Sequence, residues 1–224
     1  MKVAERHRWD ISPREAVEIQ RRLALQVVTE DRAVDVRYVA GVDIIAGPRG
    51  SLARGAVVVL SYPDLEMVES HAVESIAPYP YIPGLLAFRE IPVLIPALEA
   101  VRQVPDLVLV DGHGYSHPRR FGLACHLGYL LGVPTIGCAK SRLLGANEEP
   151  GELRGDRASL LDAGEVIGEV LRTRERARPV YVSIGHKISL GSATDWVLKL
   201  TLPGRRICEP IRLADLASRG QLPA

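Results

Sequence analysis

The chain is poor in cysteine. It has three in 224 residues, Cys125, Cys138 and Cys208, an odd number without close spacing. That excludes a disulfide framework and a cysteine-based zinc site. No apolar stretch is long enough to span a bilayer. The first residues, Met1 to Asp10, are charged and lack the apolar run of a secretory signal. A reducing, cytoplasmic location without membrane attachment is therefore expected. Internal repeats, low-complexity tracts and long linkers are missing too, and one domain over 1–224 is expected. Charge of one sign is also lacking, since the formal net charge is +1. Such a balance neither favours nor excludes nucleic acid, because a basic face can be offset elsewhere. Arginine is nevertheless unevenly spread: Arg172, Arg174, Arg176 and Arg178 fall close to Lys187, and Arg205, Arg206, Arg212 and Arg219 follow. What the chain has in quantity is hydrophobic residues, 47% of the total, enough for a substantial core.

The periodicity predicts a helix over 12–32. Ser12 caps it, Pro13 suits its first turn, Glu15 completes a capping box, and Ala16, Ile19, Leu23 and Val27 recur at helical spacing. Three strands follow, at 37–46, 53–62 and 66–76, separated by Gly47-Pro48 and by Pro63-Asp64. After a loop rich in proline and tyrosine, a helical stretch runs over 85–102, interrupted by Pro92 and Pro96. The run 107–110 is wholly apolar and suits a buried parallel strand. A helix over 120–131 and a second buried strand over 133–138 come next. Beyond a loop over 139–157, the pattern predicts a helix around 165–173, a strand at 180–184, a helix around 190–202 and a last helix over 211–219. A three-stranded antiparallel meander followed by alternating helices and strands predicts an α/β fold. Its sheet would be mixed, with helices on both faces, matching the ribonuclease H-like architecture.

In open α/β sheets, sites gather outside strand ends. Asp43 lies inside the first strand between apolar neighbours, where an unpaired charge is expensive to bury. Asp111 ends the apolar run and is followed by glycine. The first and fourth strands of such a sheet are adjacent, so Asp43 and Asp111 should face each other. Two carboxylates that close repel, and a divalent cation relieves the repulsion. Magnesium suits the site, because it takes oxygen ligands, few of them from protein. Lys140 follows the strand at 133–138 and should emerge at the same sheet edge, where it could stabilise charge on a phosphate.

Several strings are more specific in combination. They are Val42-Asp43; the run from Tyr79 through Pro80-Tyr81-Ile82-Pro83-Gly84-Leu85-Leu86 to Arg89-Glu90; Asp111-Gly112-His113-Gly114; His117-Pro118-Arg119-Arg120-Phe121-Gly122-Leu123-Ala124; Pro134 to Ser141; and Gly185-His186-Lys187-Ile188-Ser189-Leu190. In this order, and over nearly the whole chain, they resemble endonuclease V. The resemblance implies a DNA repair nuclease directed at deoxyinosine. Such an enzyme hydrolyses the second phosphodiester bond 3′ to the lesion and leaves 3′-hydroxyl and 5′-phosphate ends. It implies Asp43, Glu90 and Asp111 as ligands of Mg²⁺, with Mn²⁺ as a substitute, and His117 and Lys140 as further catalytic groups. Glu90 enters on the resemblance alone. Tyr81 matches the wedge residue that fills the strand when the damaged base flips out. Gly84, Gly112, Gly122 and Gly137, with Leu86 and Leu123 as apolar walls, match a pocket for the base.

The flanking prolines stiffen the Tyr81 loop and reduce the entropy lost on insertion. Flipping costs a few kcal/mol, less where pairing is already poor. Arg89, Arg119, Arg120 and Ser141, with Arg142 and Arg154, are candidates for phosphate contacts. The expected partner is DNA containing deoxyinosine or another deaminated base, bound by a monomer. Two alternatives stay open: the same site acting on inosine in RNA, and a non-catalytic nucleic-acid-binding module, against which the three carboxylates argue.

Overall fold

The computed structural model describes residues 1–32, 35–47 and 52–222. Helix α1 (Pro13–Ala24) begins with the expected capping box, in which the Ser12 hydroxyl accepts from the Glu15 amide and the Glu15 carboxylate accepts from the Ser12 amide. It stops well before residue 32. The segment beyond it is fastened instead to the far end of the sheet. Val28 donates to His186 Nδ1 and accepts from the Lys187 amide, and Arg32 donates to the Lys187 carbonyl. Val27 continues the helical spacing by coincidence, because these bonds claim the backbone first.

Strands β1 (Tyr38–Ala46), β2 (Leu52–Ser61) and β3 (Met67–Ile76) form the antiparallel meander. Pro48, half of the expected first turn, lies outside the described residues. Helix α2 (Leu86–Ala100) runs through both Pro92 and Pro96 rather than being interrupted by them. Each proline removes one backbone donor, at a cost of about 3 kcal/mol in an isolated helix. Burial of Ile91, Leu94 and Leu98 against the sheet, and of Phe88 against Ala16, Tyr79 and Leu85, offsets that cost. Then follow β4 (Leu107–Val110), α3 (Leu123–Leu131) and β5 (Thr135–Ala139). Helix α3 starts at Leu123 and not near Arg120, whose φ of +53° is incompatible with a helix.

The largest departure comes next. The segment expected to be a helix around 165–173 is a strand. β6 (Arg157–Asp162) and β7 (Glu165–Leu171) form a hairpin. Its two turn residues, Ala163 and Gly164, both have positive φ, as a type I′ turn requires. Alanine in place of the usual asparagine hid the turn. β8 (Val180–His186), α4 (Leu190–Lys199) and α5 (Glu209–Ser218) complete the chain.

All eight strands form one mixed sheet in the order β3-β2-β1-β4-β5-β8-β7-β6. β1, β4 and β5 are parallel, and β8 returns antiparallel to β5. Helices cover both faces, α2 and α3 packing on one and α4 and α5 on the other. α5 lies very close to β1. A side chain at Gly41 would place its Cβ 2.0 Å from the Pro210 carbonyl oxygen.

Candidate active site

Side chains alternate along a strand, so Val39, Gly41 and Asp43 share one face of β1. Leu107, Leu109 and Asp111 do the same on β4, as do Ile136, Cys138 and Lys140 on β5. Val39, Leu107, Leu109, Ile136 and Cys138 pack beneath α4 and α5. The register pairs Val42 with Val110, and Asp111 continues it by donating its amide to the Val42 carbonyl at 3.2 Å. Asp43 and Asp111 are therefore neighbours, and Lys140 emerges beside them.

Helix α5 adds what the sequence did not reveal. Asp215 brings a third carboxylate, and one oxygen each from Asp43, Asp111 and Asp215 lies within 4.8 Å of the other two. One turn on, the Ser218 hydroxyl donates to Asp43 Oδ2 at 2.7 Å. Ser218 is buried on the apolar face of α5 beside Ala214 and Ala217, three residues from Asp215, a placement that only the docking of α5 on β1 gives it.

The cluster is short of positive charge. Lys140 Nζ lies 2.5 Å from Asp111 and 3.6 Å from Asp215. Burial disfavours its charge, but the hydrogen bond and charge of Asp111 outweigh that and raise its pKa. Arg219 grips Asp215 through two bonds of 2.9 and 3.0 Å and holds that carboxyl below its ordinary value. Asp43, 8% exposed, is shifted the other way, by burial first and then by the charges of Asp111 and Asp215. Glu90, on α2, stands outside the trio. Burial, followed by the charges of Asp43 and Asp111, pushes it up to about 8. Uncompensated negative charge around converging oxygens fits a divalent cation.

One residue from Asp111, Gly112 lines a pocket of about 120 Å³ at the mouths of α2 and α3. Tyr81, Gly84, Leu86, Gly122 and Leu123 line it as well. Gly137 does not. It lies under the loop at 112–114, where a Cβ would sit 2.6 Å from the Gly114 nitrogen, so its smallness serves the packing of that loop. Tyr81 is 69% exposed at the pocket mouth, whereas Tyr79 is 5% exposed and packs with Ala16, Leu85 and Phe88.

His117 is also in the pocket wall. Its Nδ1 accepts from the Arg119 amide at 3.2 Å, so Nε2 carries the proton and donates to the Gly84 carbonyl at 3.0 Å. Burial, reinforced by Arg119, lowers its pKa to about 4. The same carbonyl receives Gln20 Nε2 at 3.0 Å and Arg119 Nη2 at 2.6 Å, and Arg119 Nε reaches Gln20 Oε1 at 2.6 Å. Gly84 itself has φ +79°, a conformation that other residues adopt only with strain. Gln20, buried on α1, is thus a second residue that sequence reasoning missed.

Most of the arginines expected at phosphates are committed elsewhere. Arg89 is buried and donates to the carbonyls of Tyr79 and Gly47. Arg120 pairs with Asp162 and Glu165, pinning the β6–β7 hairpin, and Arg154 donates to the carbonyls of Thr173, Leu198 and Thr201. The Ser141 carbonyl receives His113 Nε2 at 3.0 Å. Among the described residues, no helix is long and apolar enough to cross a membrane.

Comparison with known proteins agrees with this architecture. The family model described as Endonuclease V matches residues 21–216. The endonuclease V of Gloeobacter violaceus is 50% identical over 211 residues, which cover 93% of this chain and 85% of that one. The crystal structure of the Streptomyces avermitilis endonuclease V matches with a TM-score of 0.89 at 39% identity, covering 99% of this chain and 98% of the other. The Ciona intestinalis endonuclease V, in complex with a 24mer DNA containing an inosine followed by a ribo-adenosine, matches with a TM-score of 0.79 at 31% identity, covering 93% and 97%.

Proposed function

The chain belongs to the endonuclease V family, and on that premise we propose that it is a DNA repair endonuclease acting on deoxyinosine. It hydrolyses the second phosphodiester bond 3′ to the lesion and leaves 3′-hydroxyl and 5′-phosphate ends. One observation carries this reading. Asp111 belongs to the carboxylate cluster and the next residue, Gly112, lines the pocket, so recognition and cutting share a single loop.

Tyr81 fills the gap in the duplex as the lesion leaves the stack, since an aromatic side chain can replace the lost stacking. The flipped hypoxanthine enters the pocket between Leu86 and Leu123. Its shape is held by Gln20, His117 and Arg119, which converge on the Gly84 carbonyl. His117 acts as a positioning residue, because both of its ring nitrogens are engaged in the wall. Asp43, Asp111 and Asp215, with Glu90 beside them, would hold the metal, for which an all-oxygen set from few residues favours Mg²⁺, with Mn²⁺ as a substitute. When bound, the ion supplies an activated water and neutralises charge on the leaving oxygen. Lys140 meets the reacting phosphate from the β5 side and offsets its negative charge. Ser218 fixes the Asp43 carboxylate, and Glu90, held protonated by burial and its acidic neighbours, would have to be ionised to hold the cation. Both halves of the site come from one chain, which supports action as a monomer.

The test is a duplex carrying one deoxyinosine, incubated with Mg²⁺ and, separately, with chelator. One nick on the inosine strand, only with metal and one nucleotide beyond the lesion's own 3′ phosphate, is expected. Release of a free base without a nick would overturn the proposal. Preferential cutting of inosine in RNA would move the substrate assignment and leave the site intact.

A further inference from the structure

Beside Lys140 lies a groove of about 440 Å³ whose lining includes Ser141, Arg142, Arg172, Arg178 and Tyr181 and one carboxylate, Glu149. It shares no lining residue with the pocket. Tyr181 pairs with Ala139 across β5 and β8, so the groove opens at the sheet edge that presents the carboxylates.

Some arginines of this chain face a carboxylate, as Arg14 does Glu18, Arg120 does Asp162 and Glu165, Arg157 does Asp195, and Arg219 does Asp215, while others, Arg21 and Arg205 among them, face none among the described residues. In the groove, Arg142 and Arg178 have no such partner among the described residues. The side-chain bond of Arg142 is one of 3.3 Å to Asn147, and the Arg178 side chain makes none. Arg176 pairs with Glu152 and Glu175 at 3.4 and 3.7 Å on the open surface, where such contacts contribute little. The walls themselves are braced. Arg206 donates to the carbonyls of Arg178, Pro179 and Lys140 at 2.8, 2.9 and 2.9 Å, joining the ends of β5 and β8. Arg172, buried in the groove wall, donates to the carbonyls of Pro150 and Gly151 and pairs with the Glu149 carboxylate at 2.7 Å. The backbone is held while two guanidinium groups are left over, and a guanidinium fork matches phosphate oxygens two at a time.

We propose that this groove is a second phosphate site, in which Arg142 and Arg178 hold the cut strand beyond the reacting phosphate, on the side away from the lesion. The proposal rests on the nuclease reading, because Lys140 marks where the reacting phosphate lies. Tyr181 offers a flat face to the sugar or base between those phosphates.

The experiment is fluorescence anisotropy of metal-free protein over a KCl series, on a deoxyinosine duplex and on the same duplex without the lesion. The double variant R142A/R178A should bind both duplexes at least roughly tenfold more weakly at low salt. Its slope of log K against log[salt] should be shallower by about 1–2. R142K/R178K should recover most of the slope, and R102A, at the opposite end of the sheet, should match wild type. Methylphosphonates placed beyond the cut should weaken wild type and leave R142A/R178A unaffected. An unchanged slope in the double variant would overturn the proposal, as would an equal methylphosphonate penalty in both proteins. A wild-type protein with no preference for deoxyinosine would sink the function proposed above, while the slope on undamaged duplex would still report on the groove.

Discussion

In the pocket, the polar groups are matched to one another. Gln20, His117 and Arg119 share the Gly84 carbonyl, and His113 is held between Ser116 and the Ser141 carbonyl. One residue away, the carboxylate cluster is left in conflict. Asp43 and Glu90 are both pushed above their ordinary pKa by burial and by their acidic neighbours, while Lys140 and Arg219 lie against Asp111 and Asp215. The first region is preorganised by internal satisfaction, as a shape-reading pocket needs to be. The second is preorganised by frustration, which a bound cation relieves. Substitutions should therefore separate the two regions: in the cluster they cost chemistry and spare stability, and in the pocket they cost recognition or stability.

The largest effect is expected from Asp111→Asn or Asp215→Asn. Each should slow nicking by roughly 10³-fold or more, with lesion binding retained in a gel-shift assay. Full activity in the Asp215 variant would remove α5 from the site. Glu90→Gln should also abolish cutting, and it carries a signature in stability. The Glu90 carboxyl titrates near its ordinary 4.5 when unfolded and at about 8 when folded. Between those values the unfolded chain has released a proton that the folded chain keeps, so wild-type stability falls as pH rises through this window. In thermal melts with chelator, the advantage of the glutamine variant should grow from about pH 5 to pH 8 and then level off. A variant less stable than wild type at pH 8 would contradict the frustrated cluster.

In the pocket, Tyr81→Ala should weaken binding to the lesion about 5- to 150-fold, the equivalent of ~1–3 kcal/mol of stacking, with metal affinity untouched. Equal lesion binding by the two proteins would end the wedge assignment. Gln20→Leu should cost about 1–3 kcal/mol of stability by leaving Arg119 and the Phe121 carbonyl without their partner. Denaturant melts would measure this, and an unchanged midpoint would show that the network is dispensable.

The smallest effect concerns His117 and His186, both held neutral with pKa values near 4 against an ordinary 6.5. As pH falls from 6.5 to 4, the unfolded chain takes up protons that the folded chain refuses, so stability should decline across that window. A His186→Asn variant should flatten the decline; a curve as steep as wild type would show that His186 is not a source of it.

How much of this was legible in the sequence depended on the range of the interaction. The meander, the apolar strands and the pairing of Asp43 with Asp111 follow from period and order, because alternation and adjacency are local rules. The β6–β7 hairpin was hidden by an Ala-Gly turn and by valines and isoleucine that also fit a helix face. Asp215, Ser218 and Gln20 were invisible for another reason. Each is an ordinary polar residue on an amphipathic helix, and only docking against a distant strand or loop gives it a task. The fates of Arg89 and Arg120 teach the converse, since both are used up by partners that no local pattern announces.

The close seating of α5 on β1 makes the carboxylate cluster a product of contacts between the two ends of the chain. Ser218 and Asp43, joined by one hydrogen bond, are 175 residues apart in the chain. A molecule whose sheet has formed while α5 is still loose carries only part of its metal site. The naked Cα of Gly41 lets the Pro210 carbonyl settle against the strand and so sets how near α5 brings Asp215 and Ser218 to Asp43. A side chain at position 41 would push α5 outward and draw Asp215 and Ser218 away from Asp43 together.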